Sequence, residues 1–272
     1  QDKVELTGIL ELYAQSANKV YTTASSSAAD NGLPVKNKIG SQVSGKRVGV
    51  GASFAMANVD AAAEASVGEN RIVTASALSA ESIVHNDIDT VSVAGQDPIG
   101  RQQSFPDYQT PAIGETLPAN QTSTKDIAVD ASAALNIVKN TVIAAVNQGA
   151  VLTLGGGNIL NTARVSVNEN GEKVYAQANL YLHARQRGQT YATSSGFATG
   201  NTAAVGGSVA VNLATSDVSA DLDGEGDIRG RIIVDAETLN EDEAQAFALS
   251  YGASLDRYFE KVRTALSIAN FT

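Results

Sequence analysis

The sequence predicts an all-β fold, a parallel β-helix (β-solenoid) with inserted loops and a short C-terminal helix, and three observations carry that prediction. The first is an internal repeat. The segments VGVGASFAMAN, IAVDASAALN and AAVGGSVAVN align on Ser53, Ser132 and Ser208, which stand 79 and 76 residues apart, so the repeating unit is long enough to hold several strands. The second is period-two alternation within each copy. Val50, Ala52, Phe54 and Met56 alternate with small residues, as do Val129, Ala131, Ala133, Leu135 and Ile137, and again Val205, Gly207, Val209, Val211 and Leu213. Size assigns these apolar sets to the interior and the intervening Gly51, Ser53, Asp130, Ser132, Asn136, Ser208 and Asn212 to an outer face. The third is a second self-match, in which Leu10, Leu12, Ala14, Tyr21, Thr23 and Ser25 recur as Leu180, Leu182, Ala184, Tyr191, Thr193 and Ser195 at a constant offset of 170.

Taken in order, residues 1–45 read as the end of a preceding unit, followed by units over 46–124, 125–201 and 202–272 of a single repeat segment. Asn31 lies 19 positions before Val50, whereas Asn201 lies four before Val205. GLPVKNKIGSQVSGK is therefore about 15 residues of inserted loop, of the kind a stacked scaffold tolerates. Residues 134–146, taken alone, could form an amphipathic helix. Their partner GGSVAVNLA opens on paired glycines and carries β-branched residues, which favours a strand. From Val174 the alternation places Val174, Ala176, Ala178, Leu180, Leu182 and Ala184 inward, and Tyr175, Gln177, Asn179, Tyr181, His183 and Arg185 outward. Roughly 20 to 25 residues per coil at a rise of about 4.8 Å would give about three coils per unit and a rod on the order of 50 to 60 Å. Its ends would be open edges that adjoining repeats or a cap must cover. From Ser254, an N-cap, the stretch SLDRYFEKVRTALSIANF spaces Leu255, Tyr258, Phe259, Val262 and Leu266 at three and four residues, which predicts a covering helix.

The chain of 272 residues carries a formal charge of −10, no Cys and no Trp. Its 19 Lys and Arg are not gathered into a stripe, which argues against nucleic-acid or anionic-membrane partners. No apolar run approaches the roughly 18 residues of a membrane helix. Gln1, Asp2 and Lys3 lead directly into a strand pattern rather than a signal peptide, as expected of a segment of a longer chain.

Departures from the repeat are where a particular activity would sit. The stretch 86–124 holds four of the five prolines and reads as an excursion from the scaffold, with Arg101, Phe105 and Tyr108 as anchors for a ligand, unless they pack on the wall. In DLDGEGDI, the oxygen-bearing Asp221, Asp223, Glu225 and Asp227 around Gly226 resemble the first half of a Ca²⁺ loop. Ile232 occupies the place of the closing glutamate, so an acidic turn is the better reading and Ca²⁺ the alternative. Catalysis finds little support. His85 and His183 have no metal-ligand spacing, the serine column recurs with the repeat, and Gly155–Gly157 lacks the lysine of a phosphate loop.

AVGGSVAVN and VGVGASFAMAN, each leading through a glycine-bearing turn to a strand such as RIVTASA or RIIVDAE, resemble the repeats of large leukotoxin-like, filamentous-haemagglutinin-type bacterial adhesins. The resemblance spans most of the chain, and SLDRYFEKVRTAL is similar to the helical interruptions of such repeats. It implies a secreted or cell-surface stalk, not an enzyme, that contacts adjoining repeats and a host-cell surface protein or glycan. It transfers no catalytic or receptor-contact residue. Two rivals stand beside it: a polysaccharide-binding or polysaccharide-cleaving β-helix, marked by a carboxylate-lined outer groove, and a trimeric adhesin head, which would use much shorter repeats.

Overall fold

The computed structural model describes residues 2–26, 48–95, 127–155, 159–167, 173–200 and 203–252, and these are built from strands joined by turns. In chain order they are β1 (Lys3–Glu5), β2 (Ile9–Ser26), β3 (Val48–Val67), β4 (Ile72–Ala75), β5 (Ala77–Ala94), β6 (Ile127–Val146), β7 (Val151–Leu154), β8 (Leu160–Val167), β9 (Lys173–Ala178), β10 (Leu180–Gly200), β11 (Ala203–Leu222), β12 (Glu225–Ile228) and β13 (Ile232–Gly252). Three sheets are wholly parallel. One long sheet has the order β13-β10-β5-β2, a second β11-β6-β3, and a short sheet β1-β4-β7-β12. The fold is thus all-β, as the alternation predicts, and residues 134–146 lie in strand β6 rather than a helix.

One repeat unit supplies one strand to each sheet. It runs along the second long sheet, crosses through the short sheet and returns along the first. This corrects the coil size expected from sequence. A unit is a single circuit, not about three, because its strands are 18 to 21 residues long with no turn inside them. At about 3.3 Å per residue the long strands extend roughly 60 to 70 Å, whereas four stacked strands span only about 14 Å between the outermost axes.

The register follows the repeat. Ser53 pairs with Ser132 and Ser132 with Ser208. Leu10 and Leu180 both pair with Leu78, so the offset of 170 spans two circuits with a diverged copy between them. The crossing turns also stack: the Asn147 amide donates to the Val67 carbonyl at 3.0 Å and the Asp223 amide to Val146 at 2.9 Å. Asn70 holds the left-handed conformation one such turn needs, at φ 56°. Gly149 (φ 75°) lies against it, where a Cβ would come 2.4 Å from Asn70 Oδ1.

The two long sheets face each other, and the alternation in β3, β6 and β11 has the opposite phase to the one size suggests. Gly51, Ala55, Ala57, Val59, Ala61, Ala63, Ala65 and Val67 are buried, whereas Val50 and Phe54 are 69% and 59% exposed. Likewise Asp130, Ser132, Ala134, Asn136, Val138 and Asn140 are buried, while Val205, Val209 and Leu213 are exposed. The physical reason is what the opposite sheet presents. Ser53 Oγ lies 2.8 Å from Ser92 Oγ, and Ser132 Oγ 2.8 Å from Ser194 Oγ, so hydroxyl pairs and small residues fill the narrow space between the sheets. Ser208 Oγ has no such partner, because the register puts Ala246 where Ser194 stands one circuit earlier.

The interior divides along the strands. Beside the short sheet it is apolar, with Val67, Leu78, Val142, Val146, Leu152, Leu154, Leu180 and Leu182 in one cluster. Farther along it is crossed by a chain of amides. Asn18 Nδ2 donates to Asn86 Oδ1 (2.9 Å), Asn86 Nδ2 to Asn140 Oδ1 (2.6 Å), and Asn140 Nδ2 to Ser216 Oγ (3.3 Å). In the column Asn18, Asn86, Gly188, Asn240 the glycine has no amide to offer. Gln186 compensates, donating to Asn240 Oδ1 at 2.5 Å and accepting from Ser216 Oγ at 3.4 Å. A second amide pair, Asn136 to Asn212 at 2.8 Å, ends at Asn136 Oδ1 because its other column neighbour is Ala57.

Two further expectations need correction. The excursion cannot begin at residue 86, since Asn86–Ala94 belongs to β5. Tyr181 and His183 are not on a solvated face: they are 2% and 4% exposed, while Val174, expected inside, is 44% exposed. Tyr181 is covered by an antiparallel pair, β8 and β9, inserted between β7 and β10, and the His183 ring lies on Tyr181. The pair's Leu160 and Ala178 pack with Tyr181, Ile233 and Ala77 over the start of the first long sheet. The expected helix from Ser254 lies outside the described residues.

Candidate functional site

Of the sequence-predicted site residues, Arg101, Phe105 and Tyr108 fall outside the described residues. The acidic set is placed: Asp221 near the end of β11, Asp223 in the following turn, Glu225 and Asp227 on β12 at the edge of the short sheet. All four are exposed, and Asp227 pairs with Arg229 (3.3 Å) rather than with a shared centre. Among the described residues no three His, Cys, Asp or Glu side chains gather as a metal would require. The Ca²⁺ alternative therefore fails on geometry. The four acids are spread over the end of β11, the turn and β12, and they do not converge on one point as the ligands of a Ca²⁺ loop must. Gly226 serves packing instead, since a Cβ there would lie 2.0 Å from the Leu152 carbonyl oxygen.

Two outer faces carry the groups able to meet a partner. On the second long sheet, the first halves of β3, β6 and β11 present Val50, Phe54, Met56, Ile137, Val205, Val209 and Leu213 to solvent. Among the described residues these side chains lie in neighbouring columns of the sheet. The second half of the same face is polar, with Asp60 and Lys139 in one column and Glu64 farther on.

The outer face of the first long sheet is laid out in columns of charge and amide. Lys19, Asp87, Gln189 and Glu241 form one; Tyr21, Asp89, Tyr191 and Glu243 the next; Ala17, His85, Arg187 and Leu239 a third. A shallow depression of about 500 Å³ is lined by His85, Asp87, Arg187, Gln189, Leu239 and Glu241, among others. Neighbours in the first column are coupled, Lys19 Nζ to Asp87 (3.8 Å) and Gln189 Nε2 to Glu241 (3.3 Å), and so are neighbours in two further columns, Arg185 Nε to Glu237 (3.0 Å) and His183 Nδ1 to Glu81 (3.4 Å). The His183 ring also stacks on Tyr181 with centroids 5.3 Å apart. Burial and the carboxylate of Glu241 raise the pKa of the Tyr191 hydroxyl.

Asp89 is the perturbed group of this face. It is 3% exposed and its Oδ1 has no hydrogen-bond partner. Burial, and then repulsion from Asp87, push its pKa from 3.8 up to about 6. Between roughly pH 4 and 6 the folded chain holds a proton here that the unfolded chain has lost, so stability falls as pH rises through that window and levels off above it. Asp89→Asn removes this penalty. It is expected to raise stability at pH 7 by about 1 to 3 kcal/mol and to flatten the pH 4 to 6 dependence, read by urea unfolding at both pH values. An unchanged pH profile would show that Asp89 titrates normally.

Sequence reasoning missed Asp87 and Asp89 as a pair. The signal was present in HNDID, two carboxylates at the strand spacing of 2. Comparison with known proteins gives no further guide: no family model matches the chain, and neither a curated protein nor a solved structure matches it.

Proposed function

We propose that the chain is a parallel β-helical structural segment, a stalk or adhesion module of a large secreted or surface-exposed bacterial adhesin. The observation that carries this reading is that one repeat unit makes one circuit, with equivalent residues stacked in columns across all three circuits of the second long sheet. Such an architecture adds length by adding units and leaves its outer faces free to vary. The interior holds hydroxyl pairs and amide ladders that keep register. Asp87 and Asp89 lie on one face, but Asp89 is too buried to protonate a leaving group on a polymer.

Residues 127–202 amount to one circuit, and their deletion tests the modular scaffold. It would bring β11 onto β3 and β13 onto β5, and the expected result is a shortened chain with an unchanged β-type circular dichroism spectrum and a single cooperative melt. An unfolded product would contradict the reading. Location is tested separately with antiserum to the chain on intact producing cells. Surface labelling is expected, and labelling only after lysis would remove the adhesin assignment.

A second reading, a polysaccharide-binding β-helix, is favoured by the columns of carboxylates, amides and tyrosines on the outer face of the first long sheet. It is separated by measuring retention on immobilised polysaccharides before and after Arg187→Ala and Gln189→Ala.

A further inference from the structure

The outer face of the first long sheet sets two basic side chains side by side without a counter-charge. His85 of β5 and Arg187 of β10 stand in register on neighbouring strands, and Leu239 of β13 follows in the same column. Both basic residues are exposed, and among the described residues neither makes a hydrogen bond or an ion pair. Their neighbours on the same face are engaged: Arg185 with Glu237, His183 with Glu81 and Lys19 with Asp87. In a chain with 29 acidic and 19 basic residues, these two are left with donors to give. Arg187 offers a planar fork of N–H groups, and the His85 ring adds another donor beside it.

The depression of about 500 Å³ lies between this column and the next, where Gln189 and Glu241 stand on the same two strands as Arg187 and Leu239. One wall therefore carries the two basic groups and a leucine that is 49% exposed. The other carries an amide and a carboxylate, bonded to each other at 3.3 Å and each with acceptor positions to spare. The walls run across the strands and extend about 10 Å from β5 to β13. A sugar ring with one anionic substituent satisfies both walls. Its carboxylate or sulfate ester takes the Arg187 fork and the His85 donor, its hydroxyls donate to Gln189 and Glu241, and its C–H face lies on Leu239. An acidic peptide fits less well, because further carboxylates would fall on Glu241 and the chain's charge of −10 opposes a dense polyanion.

We infer that this groove binds an acidic sugar unit of a sparsely charged glycan, with Arg187 and His85 holding the anionic group and Gln189 and Glu241 the hydroxyls. The inference rests on the polysaccharide-binding reading above and adds to it the charge of the ligand.

Isothermal titration calorimetry on the full chain with three oligosaccharide probes provides the test. Hyaluronan oligosaccharides carry carboxylates alone, their carboxyl-reduced form carries no charge, and carboxyl-reduced chondroitin sulfate oligosaccharides carry sulfate esters alone. The chain is expected to bind the first or the third, and the uncharged probe about tenfold more weakly or not at all. Whichever charged probe binds identifies the anion as carboxylate or sulfate. Arg187→Gln should weaken that binding about tenfold and His85→Gln about threefold. Lys139→Gln removes one charge from the outer face of the other long sheet and should leave binding unchanged. An unaltered β-type circular dichroism spectrum checks that each variant folds. Equal binding of the charged and uncharged probes would overturn the acidic-sugar assignment and leave the polysaccharide-binding reading standing. Failure to bind any of the three would overturn both. Binding of a charged probe that is insensitive to Arg187→Gln, or that Lys139→Gln lowers as much, would place the anion contact elsewhere and overturn the inference as well.

Discussion

Asn86→Leu is expected to lower the unfolding free energy by about 2 to 4 kcal/mol, far more than the loss of one exposed polar contact. Asn86 is 1% exposed and stands at the crossing of the interior amide chain. Its carbonyl accepts from Asn18 and its amide donates to Asn140. Leucine keeps the branched shape and the number of side-chain heavy atoms but is bulkier, so some crowding adds to the polar loss. What remains is a 2% exposed Asn140 whose carbonyl oxygen has lost its donor, and an Asn18 amide turned toward a hydrocarbon. Restoring the balance by a second change, Asn140→Leu, should recover part of the loss, because removing both partners of a buried bond costs less than removing one. Urea denaturation of the single and double variants reads both terms. A single-variant loss under about 1 kcal/mol would mean that the amide chain is dispensable.

Gly188→Ala is expected to be comparably damaging for a steric reason. A Cβ at Gly188 would stand 2.1 Å from the Asn86 carbonyl oxygen and 3.0 Å from its carbon, both backbone atoms of the neighbouring strand. Neither can rotate aside, so β5 and β10 must separate, and about 3 kcal/mol or more of ladder and packing energy is at risk. Gly207 makes the contrast: nothing lies within 4 Å of a Cβ there, and Gly207→Ala should be neutral or stabilising by a few tenths of a kcal/mol through reduced freedom of the unfolded chain. Equal thermal shifts for the two variants would refute the close approach.

Much of the backbone was legible in the sequence, and the reason is the repeat itself. Two strands stacked in a parallel register see the same neighbours, so columns such as Ser53, Ser132 and Ser208 record the pairing directly. Phase was harder, because in the first halves of β3, β6 and β11 the larger apolar residues stand on one side and small or polar ones such as Ser53, Asp130 and Asn136 on the other, and size alone favours the wrong one. The decisive signal lies later in β3, where Asp60 and Glu64 alternate with Val59, Ala61, Ala63 and Ala65. Carried back along an unbroken strand, that alternation puts Gly51 and Ser53 inside. Circuit length was legible too, in 20 residues from Val48 to Val67 with no turn-forming pair, but an assumed short coil obscured it. Burial of Tyr181 was not legible, since it depends on β8 and β9 arriving from an insertion that breaks the repeat. The acidic turn was read from Asp and Gly as turn residues, and Asp223 does lie in the turn between β11 and β12.

The claim on which the rest depends is that each repeat unit is one circuit, so that equivalent residues occupy adjacent strands. The chain has no cysteine, and Val50, Val129 and Val205 lie in one outward column, which makes them natural positions for spin labels. With labels introduced by cysteine substitution, continuous-wave electron paramagnetic resonance should show strong dipolar broadening for the pairs 50/129 and 129/205, whose strands stand about 4.8 Å apart. The triple-labelled chain should collapse toward a single exchange-narrowed line. Weak, pairwise-only broadening, as three circuits per unit and a spacing of about 14 Å would give, would contradict the account.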